Sequence, residues 1–481
     1  MRSPSADAQH PGVHAVSPAE TAAPPKAAAA IPVPSAAAPA DSLLAPALRA
    51  PTVGATMLIS MIAFEAIAVA AVMPEIARSL DGLALYALAF GATLAASVVA
   101  MVAAGIDADR GGPQRGMAFG LGLVGLGLVL AGTASTMGLL LLGRLAQGFG
   151  AGAIGVAIYV AAARLYPSAL HPRLFALFAG AWVVPAVVGP GLAVLIAQAF
   201  GWRAVFLSVL PLLLLSAWLL LPALRAQVDQ GARAARGGAA LGWAVLAAGS
   251  ALLLHLLAEQ AAQSLARGGL VLGLVVLALA AQRLLPTGTL HSRRGLPTLI
   301  LLRGLLASAF LSAEVFIPLW LSEQAQWSAV AAGLALTLGA LSWSAGSALQ
   351  ARVGRALRQR VLSGGLAMTG LGIALPLAAV IGLLPAWTLL PAWILAGFGI
   401  GLAFPLISVL VLEQSPPQAQ GRNSAALQLG EALLHSALLA VIGLGFAPLQ
   451  AEHPAWAYGL VFALASGQCL LAAVLAGRSQ P

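Results

Sequence analysis

Few side chains in this sequence carry charge, and several stand where charge is unusual. Glu65 lies in the middle of a long apolar run, Arg144 inside another and Glu314 inside a third. Glu431 and His435 are four residues apart in a further run, so a helix puts both on one face. A dense group sits at Gly105 to Arg115, GIDADRGGPQR, where Asp107, Asp109, Arg110 and Arg115 separate two apolar runs. A carboxylate in apolar surroundings can take up or release a proton as its surroundings change between dry and wet, and a nearby arginine shifts that balance. The sequence shows no serine–histidine pairing, no phosphate-cradling loop and no His/Cys/Asp cluster at ligand spacing, which leaves hydrolytic and metal chemistry without a constellation. GxGxxG-like spacings do occur, but in glycine-rich apolar runs they mean helix packing.

The elements that must hold these residues follow from composition. The chain has 481 residues, 60% of them hydrophobic and 8% charged, with a mean hydropathy of +0.95. A soluble domain carries about 25% charged residues, so the composition predicts a polytopic, all-α membrane protein. The net charge of +9 comes from arginines spread over many connections, which argues against a nucleic-acid face. The single cysteine, Cys469, lies in an apolar run, so no disulfide framework is expected.

Residues 1–50 are rich in Ala and Pro and lack a basic start followed by a short apolar stretch. They read as a disordered tail rather than a signal peptide. Beyond them lie about 14 apolar runs of membrane-spanning length, at 54–76, 87–106, 115–133, 137–163, 171–199, 203–222, 241–259, 268–285, 298–321, 328–349, 361–383, 387–413, 423–447 and 456–476. With the N-terminus cytoplasmic, the cytoplasmic connections receive Arg110, Arg115, Arg164, Arg173, Arg225, Arg233, Arg236, Arg283, Arg293, Arg294, Arg352, Arg355, Arg358, Arg360 and Arg422, and Arg478 lies on the C-terminal tail. The other side receives Arg78, Arg203 and Arg267. That asymmetry predicts an even number of spans with both ends inside.

Within this frame the charged motifs resemble those of one family. Gly105, Asp109, Arg110 and Gly112 resemble the loop between helices 2 and 3 of the major facilitator superfamily, G-x-L-A-D-R-x-G-R-K. Asp107 stands for the apolar third residue, and Pro113-Gln114 for the usual basic pair. The segment Leu142 to Gly152, with Arg144, Gln147, Gly148 and Gly150, is similar to the family's helix-4 signature, whose arginine is linked to proton transfer. Gly189-Pro190 resembles part of the helix-5 signature of antiporters, with Pro185 where glycine is usual. Phe64-Glu65-Ala66, ahead of Pro74, is similar to the helix-1 signature of the 14-helix branch, with glutamate for aspartate and without its threonine and asparagine. Ala351-Arg352-Val353-Gly354-Arg355 echoes Asp109 to Pro113 one half-chain later.

The resemblance implies a major facilitator fold of two six-helix halves plus two inserted helices. The expected division is a cytoplasmic tail at 1–50, halves at 51–222 and 298–476, a linker with two extra helices at 223–297, and a tail at 477–481. It implies a proton-coupled antiporter in the inner membrane, exporting lipophilic small molecules by alternating access, with protons, a small-molecule substrate and the lipid bilayer as partners, no cofactor, no metal and no nucleic acid. Glu65, Arg144 and, second in rank, Glu314 are the expected proton-coupling residues. Gly105, Asp107, Asp109, Arg110 and Gly112 form the loop relay, and Gly189 and Pro190 mark the antiporter helix. Against each role stands a structural alternative: Arg144 snorkelling from a helix end, Glu65 held neutral by a neighbouring helix, the loop a charged anchor. Glu431 and His435 either face the cavity or pair only with each other. Arg303 is expected to snorkel toward the surface, and His255 and Glu259 to be structural. Rival functions are a dedicated metabolite or sugar exporter, and a non-transporting sensor or enzyme.

Overall fold

A computed structural model describes residues 42–82, 85–225, 238–258 and 264–480. The described residues form helices α1 (Arg49–Ser79), α2 (Tyr86–Gly111), α3 (Pro113–Gly132), α4 (Met137–Leu165), α5 (His171–Gly180), α6 (Val183–Phe200), α7 (Arg203–Leu207), α8 (Leu210–Arg225), α9 (Gly238–Ala258), α10 (Ser264–Leu284), α11 (Leu296–Glu323), α12 (Ala329–Gln350), α13 (Arg358–Val380), α14 (Leu389–Glu413), α15 (Gln420–Glu452) and α16 (Pro454–Leu475). Helix is what an apolar solvent demands, because it satisfies every backbone N–H and C=O inside the segment. Among the described residues, 12 stretches are long and apolar enough to cross a bilayer, with α5–α6 and α7–α8 each counted as one. Helices α9 and α12, of 21 and 22 residues, stand where the remaining two runs were expected. The protein is an integral, multi-pass, all-helical membrane protein.

Close packing in each half depends on glycine at corresponding places. On α3, Gly120 and Gly127 face Gly150 and Gly143 of α4, so closely that a Cβ at Gly127 would lie 2.6 Å from the carbonyl of Gly143. The same α4 turns Gly148 and Gly152 toward α2, where a Cβ on Gly148 would meet Ala96 at 2.9 Å. In the second half, Gly365 and Gly372 of α13 approach α14, while Gly397 and Gly401 of α14 approach α12. Small residues let helices close up where lipid gives no hydrophobic drive for association. The repeat is thus written more fully in these glycines than in the Ala351–Arg355 echo.

The chain's alternation gathers most arginine-bearing connections at one end, here termed the Asp109 end. There Arg358 pairs with Glu413 at 2.7 Å, Arg478 Nη1 donates to Ser292 Oγ at 2.9 Å, and the Gly295 N–H donates to the carbonyl of Arg478 at 2.8 Å. At the opposite end Arg203 donates twice to the carbonyl of Ala134 and lies over the Trp202 ring. Exposed Trp387 and Trp456 open α14 and α16 at that end, as interfacial tryptophans do.

The two halves meet along α2, α4 and α15, where Ala104, Ala108, Ala153, Val156, Val160 and Ala425 form a small buried cluster of their own. Helix α5 packs against α12 and α14 nearby. Helix α9 packs against α2 and α15, and α10 against α9 and α15.

Two sequence expectations shift. Residues 105–111 are not a free loop: α2 runs on to Gly111, and the chain turns only at Gly112, whose φ of 80° suits glycine. The chain is already ordered at 42–50, with Leu48 buried and α1 beginning at Arg49, so the part of the tail at 42–50 belongs to the folded body. Residues 1–41, 226–237 and Glu259 lie outside the described residues, and so does the side chain of His255.

Candidate functional site

Two buried arginines organise the interior. The first is Arg144, eight residues into α4 and 4% exposed. Its Nη1 donates to Glu65 Oε1 on α1 and, at 3.0 Å, to Gln147 Oε1 one turn further along α4. Its Nε donates to the carbonyl of Ala89 on α2 at 3.3 Å. The glycines of α4 bring α2 near enough for that backbone contact. The amide Nε2 of Gln147 is buried without a hydrogen-bond partner among the described residues. One guanidinium therefore ties three helices together through one carboxylate. Arg144 does not snorkel, and Glu65 is held by an arginine rather than by a neutral hydrogen bond.

The second is Arg303, eight residues into α11 and 3% exposed, at the level of the Asp109 end. Its Nε donates to Glu431 Oε2 on α15 at 3.0 Å. Its Nη1 donates to Ser408 Oγ at 2.6 Å and to the carbonyl of Phe404 at 3.3 Å, both on α14. Its Nη2 donates to Tyr159 Oη on α4 at 3.1 Å. The guanidinium carbon lies 3.2 Å from the centroid of the Phe404 ring. Two expectations are corrected here. Arg303 does not reach for the surface, because four acceptors and an aromatic face hold it inward. Glu431 does not pair with His435 alone, because Arg303 reaches it from α11.

Tyr159 follows Arg144 by 15 residues on one helix, which separates the two clusters by about 22 Å along the bundle at 1.5 Å per residue. A buried arginine stripped of its acid costs about 3–5 kcal/mol. Each pair is therefore a strong constraint while intact and a strong drive to rearrange once its acid is neutralised.

The third feature is Asp109 at the end of α2. Its Oδ1 accepts from the Gly421 N–H at 2.7 Å and its Oδ2 from the Arg422 N–H at 3.1 Å. Helix α15 has no side-chain cap of its own, so an aspartate from the other half caps its free donors and meets the positive end of its dipole. Gly105 and Gly421 permit the approach: a Cβ on Gly105 would lie 2.7 Å from that of Ala425, and one on Gly421 would lie 2.6 Å from the carbonyl of Gly105. Asp107 is half-buried two residues away and is not part of this contact, and Arg110 is exposed.

The remaining expected residues stand apart. Glu314 is half-buried on α11 and makes no hydrogen bond or ion pair among the described residues. It lies 11 residues beyond Arg303, hence on the same helix face roughly three turns on. Gly189 is buried in the stripe Pro185, Gly189, Ala193 and Ala197 that packs α6 against α1 near Phe64 and Ile67, while Pro190 is exposed. His435 is half-buried on α15. No group of three or more His, Cys, Asp or Glu side chains could hold a metal ion among the described residues.

Sequence reasoning missed Tyr159, Phe404 and Ser408. An uncharged hydroxyl in an apolar helix gives a weak signal, though Tyr159 does interrupt an otherwise aliphatic stretch.

Comparison with known proteins identifies the family and the fold. The sequence profile described as Major Facilitator Superfamily matches residues 53–437. A Mycobacterium tuberculosis protein named a probable multidrug-efflux transporter is 26% identical over 385 residues, covering 74% of this chain and 78% of its own. Among solved structures, the human organic anion transporter MFSD10 is similar with a TM-score of 0.66 at 18% identity, over 90% of this chain and 100% of its own. A bacterial homologue of the iron transporter ferroportin, in an outward-facing state, gives a TM-score of 0.65 at 13% identity, over 90% of this chain and 98% of its own. At these identities the structural likeness is one of fold.

Proposed function

Because the chain belongs to the major facilitator superfamily, and so to transporters rather than enzymes, we propose that it is a proton-coupled antiporter that exports lipophilic small molecules. The single observation that carries this reading is the Glu65–Arg144 pair, an acid and a base held inside the bilayer at the junction of α1, α2 and α4. Protonation of Glu65 removes the charge that holds Arg144, and deprotonation restores it. Exchanging that proton on one side of the membrane and losing it on the other requires the cavity to open to each side in turn, which two repeated halves can do. The multidrug-efflux relatives support export, and an interior of mostly apolar helix faces suits lipophilic cargo. Positive charge marks the cytoplasmic side, so the Asp109 end is placed in the cytoplasm, both termini with it, in the inner membrane. The Asp109 cap on α15 supports reading that end as the closed one. Glu314, unpaired and farther along α11, is assigned to substrate choice.

The test is uptake of a lipophilic dye or drug into inverted vesicles under an imposed pH gradient, alongside equilibrium binding of the same compound. Glu65→Gln abolishes gradient-driven uptake and keeps binding, Glu65→Asp keeps part of the uptake, and Glu314→Gln changes the range of accepted compounds. Undiminished uptake by Glu65→Gln removes the assignment and moves Glu314 to the front.

A further inference from the structure

The Arg303 cluster contains an asymmetry. Three of its acceptors, Glu431 Oε2, Ser408 Oγ and the Phe404 carbonyl, belong to α14 and α15, in the same half as Arg303. Only Tyr159 Oη comes from the other half, on α4. The same phenol stands 3.4 Å from Ser408 Oγ, and its ring is steadied from behind by Phe175 of α5 at a centroid distance of 5.1 Å. The phenol therefore bridges a charged fork that stays complete without it.

We infer that Tyr159 is a positioning residue for alternation: its hydroxyl, accepting from Arg303, is a second latch between the halves, set inside the membrane behind the Asp109 cap. When the Asp109 end opens, α4 moves away from α14 and α15. Tyr159 is then wetted, while Arg303 keeps its acid, its hydroxyl and its carbonyl. The bond can thus break and re-form without stranding a buried charge, which the Glu65–Arg144 and Arg303–Glu431 pairs cannot do. Contacts between the halves at increasing depth from that surface include Asp109 on the Gly421 and Arg422 amides, Tyr159 on Arg303, and Gly155 against Gln428. The one aimed at a full positive charge is the strongest hydrogen bond a neutral side chain can offer here. The inference rests on the two-state alternation proposed above but not on the identity of the coupling ion.

The experiment measures opening directly. Cysteines at Ser168 and Ala356, exposed at the Asp109 end in opposite halves, are spin-labelled in a Cys469→Ala background, and their distance distribution is recorded in lipid nanodiscs. Tyr159→Phe keeps the ring against Phe175 and removes only the hydroxyl. The expected result is a rise of about tenfold in the open-to-closed ratio, the size of one hydrogen bond to a charged group. Arg303→Lys, which keeps the charge beside Glu431 but loses the fork, shifts the ratio the same way. Turnover changes while the apparent affinity for the dye does not. A distance distribution unchanged in both variants overturns the inference, and so does a lowered melting temperature with an unchanged ratio, which is the signature of packing alone. Gradient-driven uptake by Glu65→Gln is scored separately, so the proton assignment and the latch fail or stand independently.

Discussion

A carboxylate is worth what its partners make of it, and Asp107 and Asp109 illustrate the point two residues apart. Asp109 accepts two backbone N–H bonds from α15, and Asp107 has no part in that contact. Asp109→Asn therefore impairs transport far more than Asp107→Asn at equal expression, because the amide puts an N–H donor where Oδ2 accepts from the Arg422 N–H and carries no charge for the helix end. Transport rates of the two variants in the same vesicles check this, and a more damaging Asp107→Asn would reassign the relay. At this scale the sequence was legible wherever charge was rare. Glu65 and Arg144 stood out as ions in apolar runs, and they do meet. Arg303 stood out equally but was misread, because distance from a helix end says nothing of what α14 and α15 bring alongside. Its uncharged partners, Tyr159 and Ser408, gave too little contrast with their neighbours.

Among elements, α15 is the part most dependent on the other half. Its first turn has no cap except Asp109, and its entry face is bare glycine where α2 crosses it. Gly105→Leu forces α2 and α15 apart at the Asp109 end. The expected outcome is loss of most transport and a label distance shifted to longer values, while Gly122→Leu, with open space around it, leaves both unchanged. A wild-type distance in Gly105→Leu would mean that the halves do not close there. The helices themselves were legible within a few residues, since length and hydropathy define a membrane span. Three details were not. The fifth run breaks at Ala181–Trp182 into α5 and α6, the sixth breaks near Ser208, and α2 continues through its charged residues to Gly111. Each depends on packing or a single backbone torsion rather than on composition.

For the whole molecule, orientation is the property that arginine counting addresses. A reporter active only outside the cytoplasm, fused after Arg478, gives no signal if both ends are cytoplasmic, and a strong signal there means an odd number of spans. The repeat was legible only faintly, because the two arginine–glycine turns differ while the glycine contacts that build both halves are scattered along four helices. The two helices between the halves, α9 and α10, leave the barrel unequal on its two flanks. Helix α9 lies along α2 and α15, where the halves meet, and α10 backs it. On the other flank, α5 and α6 meet α12 with no extra helix packed over them among the described residues. One seam is boarded over and its counterpart is bare. Lipid therefore meets the junction of the halves directly along α5, α6 and α12, and only through α9 and α10 along α2 and α15, so the bilayer presses unequally on a molecule whose two halves repeat one plan.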